Sequence, residues 1–189
     1  MDAATSNGTT IISRTELEHL RAELFPGPGL RYGGVDENPS EVYSEEGGFR
    51  LFLGDEHDAC DLSVLDSKNI RYVLNLVPHE VETTKLYGDK YRCKRLRLED
   101  KESFDISRHM KSALEFIEEA RVDRAAILVH CSAGVSRSAT VVIAFLMTYR
   151  TWPLKTAASY CYERRPILLP NIGFMEYLVK LDQKLQNSV

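Results

Sequence analysis

The segment AILVHCSAGVSRSATVVIAFLM, residues 126–147, decides how the rest of the chain is read. It opens with an apolar run, AAILVH (125–130), that has no polar face to leave in water and reads as a buried strand. A short stretch with one glycine, Cys131 to Arg137, follows, and a second apolar segment starts near Ser138. Thr140, Val141, Val142 and Ile143 are β-branched, so propensity by itself favours another strand there. We read a helix instead. A strand, a short Gly-bearing loop and a helix at the carboxyl edge of a parallel sheet aim successive backbone N–H groups and a helix N-terminus at one point. Such a point holds an anion, and phosphate fits it.

Outward from this unit the chain supplies the remaining parts of an α/β domain. Phe49, Leu51 and Leu53 alternate with Arg50 and Phe52 and stop at Gly54, the pattern of a strand. DACDLSVLDSK (58–68) reads helical, IRYVLNL (70–76) as a strand buried on both faces, and YRCKRLRL (91–98) as a further strand, with polar, turn-prone VPHEVETTKLYGDK between the two. From Asp105 to Arg121 the residues Ile106, Met110, Ala113, Leu114, Ile117 and Ala120 keep the helical period, and Asp105 or Ser107 can cap the start. Residues 153–165 and 171–186 read as two closing helices, split by Pro166 and Pro170. The expected fold is α/β, a central, mainly parallel sheet of about five strands with helices on both faces.

Upstream, Thr15 and Glu18 have capping-box spacing before Leu17, Leu20, Leu24 and Phe25, which predicts a short amphipathic helix ended by PGPG. Residues 26–48 carry Gly, Pro and acidic side chains without either period and read as a linker. The expected division is an N-terminal extension over 1–47 and a main body over 48–189.

A chain of 189 residues with 43% apolar content fits one well-buried core. The net charge of −4 is spread along the chain with no basic stripe, so nucleic acid is not an expected partner. The longest apolar run, near Val141 to Met147, falls far short of the ~20 residues of a membrane span, and MDAATSNGTT is no signal peptide. Asp2 excludes the glycine that myristoylation needs, and QNSV holds no prenylation cysteine. Cys60, Cys93, Cys131 and Cys161 show no metal-ligand spacing and read as free thiols of a reducing compartment, so neither metal nor cofactor is expected and the expected location is the cytoplasm, with the nucleus as a second.

The chemistry rests on side chains facing the anion point. A cysteine attacks phosphorus as its thiolate, which backbone amides, a helix N-terminus and a guanidinium all favour, and Cys131 has all three available. Arg137 can fold back and hold two phosphoryl oxygens in a bidentate grip that lysine does not reproduce. Gly134 lets the backbone of Ser132, Ala133, Val135 and Ser136 approach the ligand. Ser138 can donate to the sulfur as it leaves, and His130 can hold the loop's carbonyls. Taken singly, a cysteine is usually a small buried hydrophobe and an arginine a surface charge. Jointly, H-C-x5-R-S between strand and helix is specific. The proton for the leaving oxygen has four candidates in RLEDKESFDIS: Glu99, Asp100, Glu102 and Asp105, of which Asp105 is best explained as a helix cap.

HCSAGVSRS resembles the signature of the cysteine-dependent protein phosphatases, in particular the dual-specificity branch. The likeness extends from LFLGDEHDA through VLNL, the loop and IAFLM to RRPILLPNIGF. It implies the cysteine-phosphatase fold, a phosphocysteine intermediate with Cys131, Arg137 and Ser138 in catalysis, and Asp100 as the general acid. It also implies a shallow pocket for phosphotyrosine, phosphoserine and phosphothreonine, because the body lacks room for the loops of tyrosine-specific relatives. With Ser132, Ala133, Val135 and Ser136 uncharged, a phosphorylated protein is expected as substrate rather than a phosphoinositide. IAFLM is similar to the AYLM of mitogen-activated protein kinase phosphatases, which keeps a protein kinase among the candidates.

The extension is too short for the rhodanese-like module of kinase-docking members, so the small atypical type is expected. Arg164 and Arg165 fall where relatives carry a basic residue beside the pocket, and one of them is expected to meet a second phosphate. Cys93 is the expected thiol to trap an oxidised Cys131. The competing readings are a phosphoprotein-binding scaffold with little turnover and, more weakly, a phosphatase of glucan or RNA ends. Oligomeric state is not encoded in any of these features.

Overall fold

The computed structural model describes residues 12–27, 39–79 and 87–188. In chain order the elements are α1 (Arg14–Leu24), β1 (Ser40–Ser44), β2 (Arg50–Gly54), α2 (Glu56–Cys60), α3 (Leu62–Ser67), β3 (Ile70–Asn75), β4 (Arg92–Arg95), α4 (Ser107–Val122), β5 (Ala126–His130), α5 (Arg137–Tyr149), α6 (Leu154–Arg164) and α7 (Ile172–Gln186). Five strands form one sheet in the order β1-β2-β5-β3-β4. Only β1 is antiparallel to its neighbour; the other pairs are parallel. This is the α/β architecture expected, with β5, the strand that leads into Cys131, at the centre.

Alternation along the strands builds a core on each face. Ile127 and Val129 of β5 point into the larger cluster, under α4 to α7, whereas Ala126 and Leu128 point to the smaller one with Phe52, Val73 and Leu65. The helix over residues 137–149 forms despite its β-branched run. Every residue from Arg137 to Met147 is buried, against β2 and β5 on one side and α4, α6 and α7 on the other. A valine or isoleucine in a helix costs a few tenths of a kcal/mol relative to alanine, whereas burying its side chain returns about 1.5–3 kcal/mol, so packing decides. Ile143 to Met147 are fully buried, so IAFLM is core.

The N-terminal third departs from expectation. The stretch 26–48, read as linker, contains β1, which pairs with β2 and completes the sheet. Val42 is fully buried and Tyr43 meets Trp152 and Tyr160 edge to face at 6.1 and 6.4 Å. The sheet therefore starts before Gly48. The cap of α1 is Ser13 with Glu16, not Thr15 with Glu18: Ser13 Oγ accepts from the Glu16 N–H and Glu16 Oε2 accepts from the Ser13 N–H. Leu17, Leu24 and Phe25 of this region are buried in the larger cluster, against α6 and α7. Asp105 holds the start of α4 as expected, its Oδ1 accepting from the Ser107 N–H and Oγ.

Candidate active site

The parallel pairing sets Gly54, Asn75 and His130 level at the carboxyl ends of β2, β3 and β5, and the loop 131–136 rises from that edge into the N-terminus of α5. The loop is held by its carbonyls. The Glu56 N–H donates to Ser132 O at 3.4 Å, Arg165 Nε to Gly134 O at 3.0 Å and the Leu169 N–H to Val135 O at 3.0 Å. Gly134 has a φ of +65°, in the left-handed region that a side chain disfavours, and a Cβ there would lie 2.7 Å from the Gly54 carbonyl. Ser132, Ala133 and Val135 are the partly exposed members, so the loop itself shows no charged side chain to solvent.

Cys131 heads the loop, 1% exposed, with Sγ 3.2 Å from Ser138 Oγ, the contact expected of a group that assists the leaving sulfur. Arg137, 7% exposed, points back past the loop: Nη1 donates to Leu98 O at 3.2 Å and Nε stands 3.5 Å from Asp100 Oδ2 in an ion pair. Asp100 Oδ1 accepts from Ser136 Oγ and Asn171 Nδ2, both at 2.8 Å. Ser136 Oγ in turn accepts from the Asn171 N–H at 3.2 Å. Of the four acidic candidates Asp100 alone is bound to the loop. Glu99 pairs with Lys101, Glu102 with Arg14, and Asp105 with the start of α4.

Two of the expectations need correction, those on the arginines and on Cys93. His130 is fully buried beside the Cys131 main chain. Burial pushes its pKa down to about 4, only partly opposed by the nearby Cys131 main chain, and it is neutral near pH 7. Arg165 is 1% exposed beneath the loop and is not presented to a second phosphate, whereas Arg164 lies at the surface 3.4 Å over the Tyr160 ring and donates to Tyr160 O. Cys93 is no trap for Cys131. It pairs with Val73, which is level with Leu128, so two strand spacings and three residues separate the two cysteines, roughly 14 Å between Cα atoms. A disulfide needs less than about 7 Å. Packing around its sulfur also pushes the Cys93 thiol up to about 12.

Asn171, Asp58 and Ser40 belong to the site's support and were not singled out from the sequence. Asp58 accepts from the Asp55 N–H at 2.9 Å, and burial raises its pKa. Asn171 had a signal, since an Asn preceding an apolar run is a helix cap, and its Oδ1 does accept from the Phe174 N–H at 3.0 Å. That its amide also reaches Asp100 depends on a contact across 71 residues.

Residues 51–184 match the family described as "Dual specificity phosphatase, catalytic domain". The chain is 41% identical over 137 residues to dual specificity protein phosphatase Mpk3 of Drosophila melanogaster, covering 72% of this chain and 33% of that protein. It is 34% identical over 155 residues to protein phosphatase Slingshot homolog 1 of Homo sapiens, covering 82% of this chain and 14% of that protein. The chain thus spans about a third or less of these curated relatives. The crystal structure of human DUSP28 superposes with a TM-score of 0.68 at 27% identity, covering 74% of this chain and 95% of that one. With most of the chain matched to the catalytic-domain family, and with Cys131, Arg137 and Asp100 brought together around one loop, the chain belongs to the dual specificity phosphatases.

Proposed function

We propose that the chain is a protein phosphatase that hydrolyses phosphotyrosine and phosphoserine or phosphothreonine on protein substrates through a phosphocysteine intermediate. The observation that carries this is the convergence of Cys131, Ser138, Arg137 and Asp100 on one loop. The Cys131 thiolate attacks phosphorus, the P–O bond to the substrate breaks, and Asp100 gives its proton to the departing oxygen. Arg137 exchanges its contact with Asp100 for the phosphoryl oxygens, whose charge the loop amides and the N-terminus of α5 also meet. In the second step Asp100, now a carboxylate, takes a proton from water. That water attacks phosphorus, the S–P bond breaks, and Ser138 donates to the departing thiolate.

The uncharged side chains of the loop support a phosphoprotein substrate, a protein kinase among them, over a polyphosphorylated lipid. The free thiol suits the cytoplasm or nucleus. A scaffold that grips phosphate without turning it over needs none of Cys131, Ser138 and Asp100 in register. The test is release of phosphate from an aryl phosphate and from phosphotyrosyl and phosphothreonyl peptides, with Cys131→Ser as the control. Turnover lost by at least about 10⁴-fold in that variant is the expected result. Unchanged turnover in Cys131→Ser, or none in the wild type, would overturn it.

A further inference from the structure

We propose that Arg165 is a positioning residue for the phosphate loop, turning the peptide between Gly134 and Val135 so that the Val135 N–H faces the bound phosphoryl group. This rests on the reading of the site given above. Arg165 follows the last turn of α6, at the underside of the loop. Its Nε donates to Gly134 O at 3.0 Å and its Nη1 to Ser40 Oγ on β1 at 3.1 Å. A Cβ built on Gly134 would come within 2.6 Å of Nη2, which leaves no slack between loop and guanidinium.

A guanidinium buried this deeply is costly unless both its donors and its charge are met. Acceptors among the described residues include Gly134 O and Ser40 Oγ. The carboxylates are Asp58 and Asp55, which with Cys131 oppose the effect of burial on the arginine. A trans peptide is planar, so its C=O and N–H point in opposite directions. Drawing the Gly134 carbonyl down onto Arg165 turns the Val135 N–H up into the concave side of the loop, and the positive φ of Gly134 permits that turn. The Leu169 N–H does the same to the next peptide through Val135 O. Arg165 differs from that backbone anchor in carrying a fixed charge and in tying the loop to β1, outside the strand-loop-helix unit.

The test is tungstate affinity by calorimetry, with kcat, KM and the thermal midpoint, for the wild type, Arg165→Lys, Arg165→Met and Ser40→Ala. Arg165→Lys keeps a charge but lacks the planar fork, so affinity and kcat are expected to fall together by about tenfold, and by about a hundredfold in Arg165→Met, as for losing a charge-assisted hydrogen bond. Ser40→Ala is expected to lose roughly twofold to fivefold alone and nothing further in the Arg165→Met background, because its effect on phosphate affinity is transmitted by the bond to the guanidinium. A general loss of stability would not produce that non-additivity. Folded Arg165 variants with affinity and kcat within about twofold of wild type would overturn the inference. If neither folds, wild-type affinity in Ser40→Ala overturns it. A wild type that neither binds tungstate nor releases phosphate overturns the phosphatase reading as well, and is recognised by the wild-type measurement alone.

Discussion

The loop that begins at Cys131 and the segment that carries Asp100 are neighbours built on different terms. Residues 131–136 are anchored through main-chain carbonyls to Glu56, Arg165 and Leu169, and Cys131 is almost fully buried. Residues 96–105 form neither helix nor strand, and the Asp100 side chain is 35% exposed and held by the side chains of Ser136, Asn171 and Arg137. Anchoring by carbonyls leaves the opposed N–H groups free for an anion, so the loop is organised before substrate arrives. Side-chain bonds can be exchanged at little cost. In the proposed reaction Asp100 releases Arg137 to a phosphoryl group and swings onto the leaving oxygen.

The sharpest way to break this comparison is to remove the proton while leaving the shape. Asp100→Asn is expected to slow hydrolysis of phosphoserine and phosphothreonine peptides by about 10²–10⁴-fold, with a much smaller loss on an aryl phosphate whose leaving group needs no proton. Equal losses on both, in steady-state kinetics, would mean that Asp100 positions the loop rather than donating a proton.

A second measurement probes the rigid side. His130 has a folded pKa near 4, below the ~6.5 of an unfolded histidine, so the unfolded chain binds the extra proton between those values. Its contribution is fully present above about pH 6.5 and is lost as pH falls toward 4, on the order of 2 kcal/mol between pH 7 and pH 5. Urea unfolding at those two pH values measures it, and a folded His130→Asn protein should show a correspondingly smaller acid loss.

A third variant sharpens the contrast at the acid's tether. Asn171→Ala removes one hydrogen bond to Asp100 and one to the Phe174 amide, and is expected to lower kcat by roughly tenfold with KM little changed. A raised KM with unchanged kcat would assign Asn171 to binding. The smallest effect is expected from Cys93→Ser, where peroxide inactivation and its recovery by thiol should both match the wild type, because Cys93 is too far from Cys131 to bridge. Slower recovery in that variant would require the acid-side strand to move far more than this fold allows.

The reading of 126–147 held where one unit carries both pattern and chemistry. Strand, loop and helix are adjacent in sequence, so Cys131, Arg137 and Ser138 could be placed from their spacing. β1 was missed because SEVYS is short and lies among acidic and Gly residues. Gly47 and Gly48 turn the hairpin with φ of +106° and +113°, and Gly-Gly between two strand patterns is a turn signal that was there to be read. Arg165 was misjudged for another reason: next to Arg164 in sequence, it has the look of a surface pair. A C-terminal helix end points one arginine along its own surface and the next beneath the loop, and spacing cannot tell them apart.

From sequence alone this protein has its strand-loop-helix centre, with Cys131 and Arg137 placed at the two ends of one loop, because the periods of burial and the local geometry of a turn act over a few residues. Only the tertiary structure decided that Asp100 is tied to Asn171, that His130 is sealed and uncharged, and that Arg165 and Ser40 lie under the loop. Those facts arise from groups 31 to 125 residues apart meeting in one buried place, where charge and hydrogen bonding are set by neighbours that no local pattern encodes.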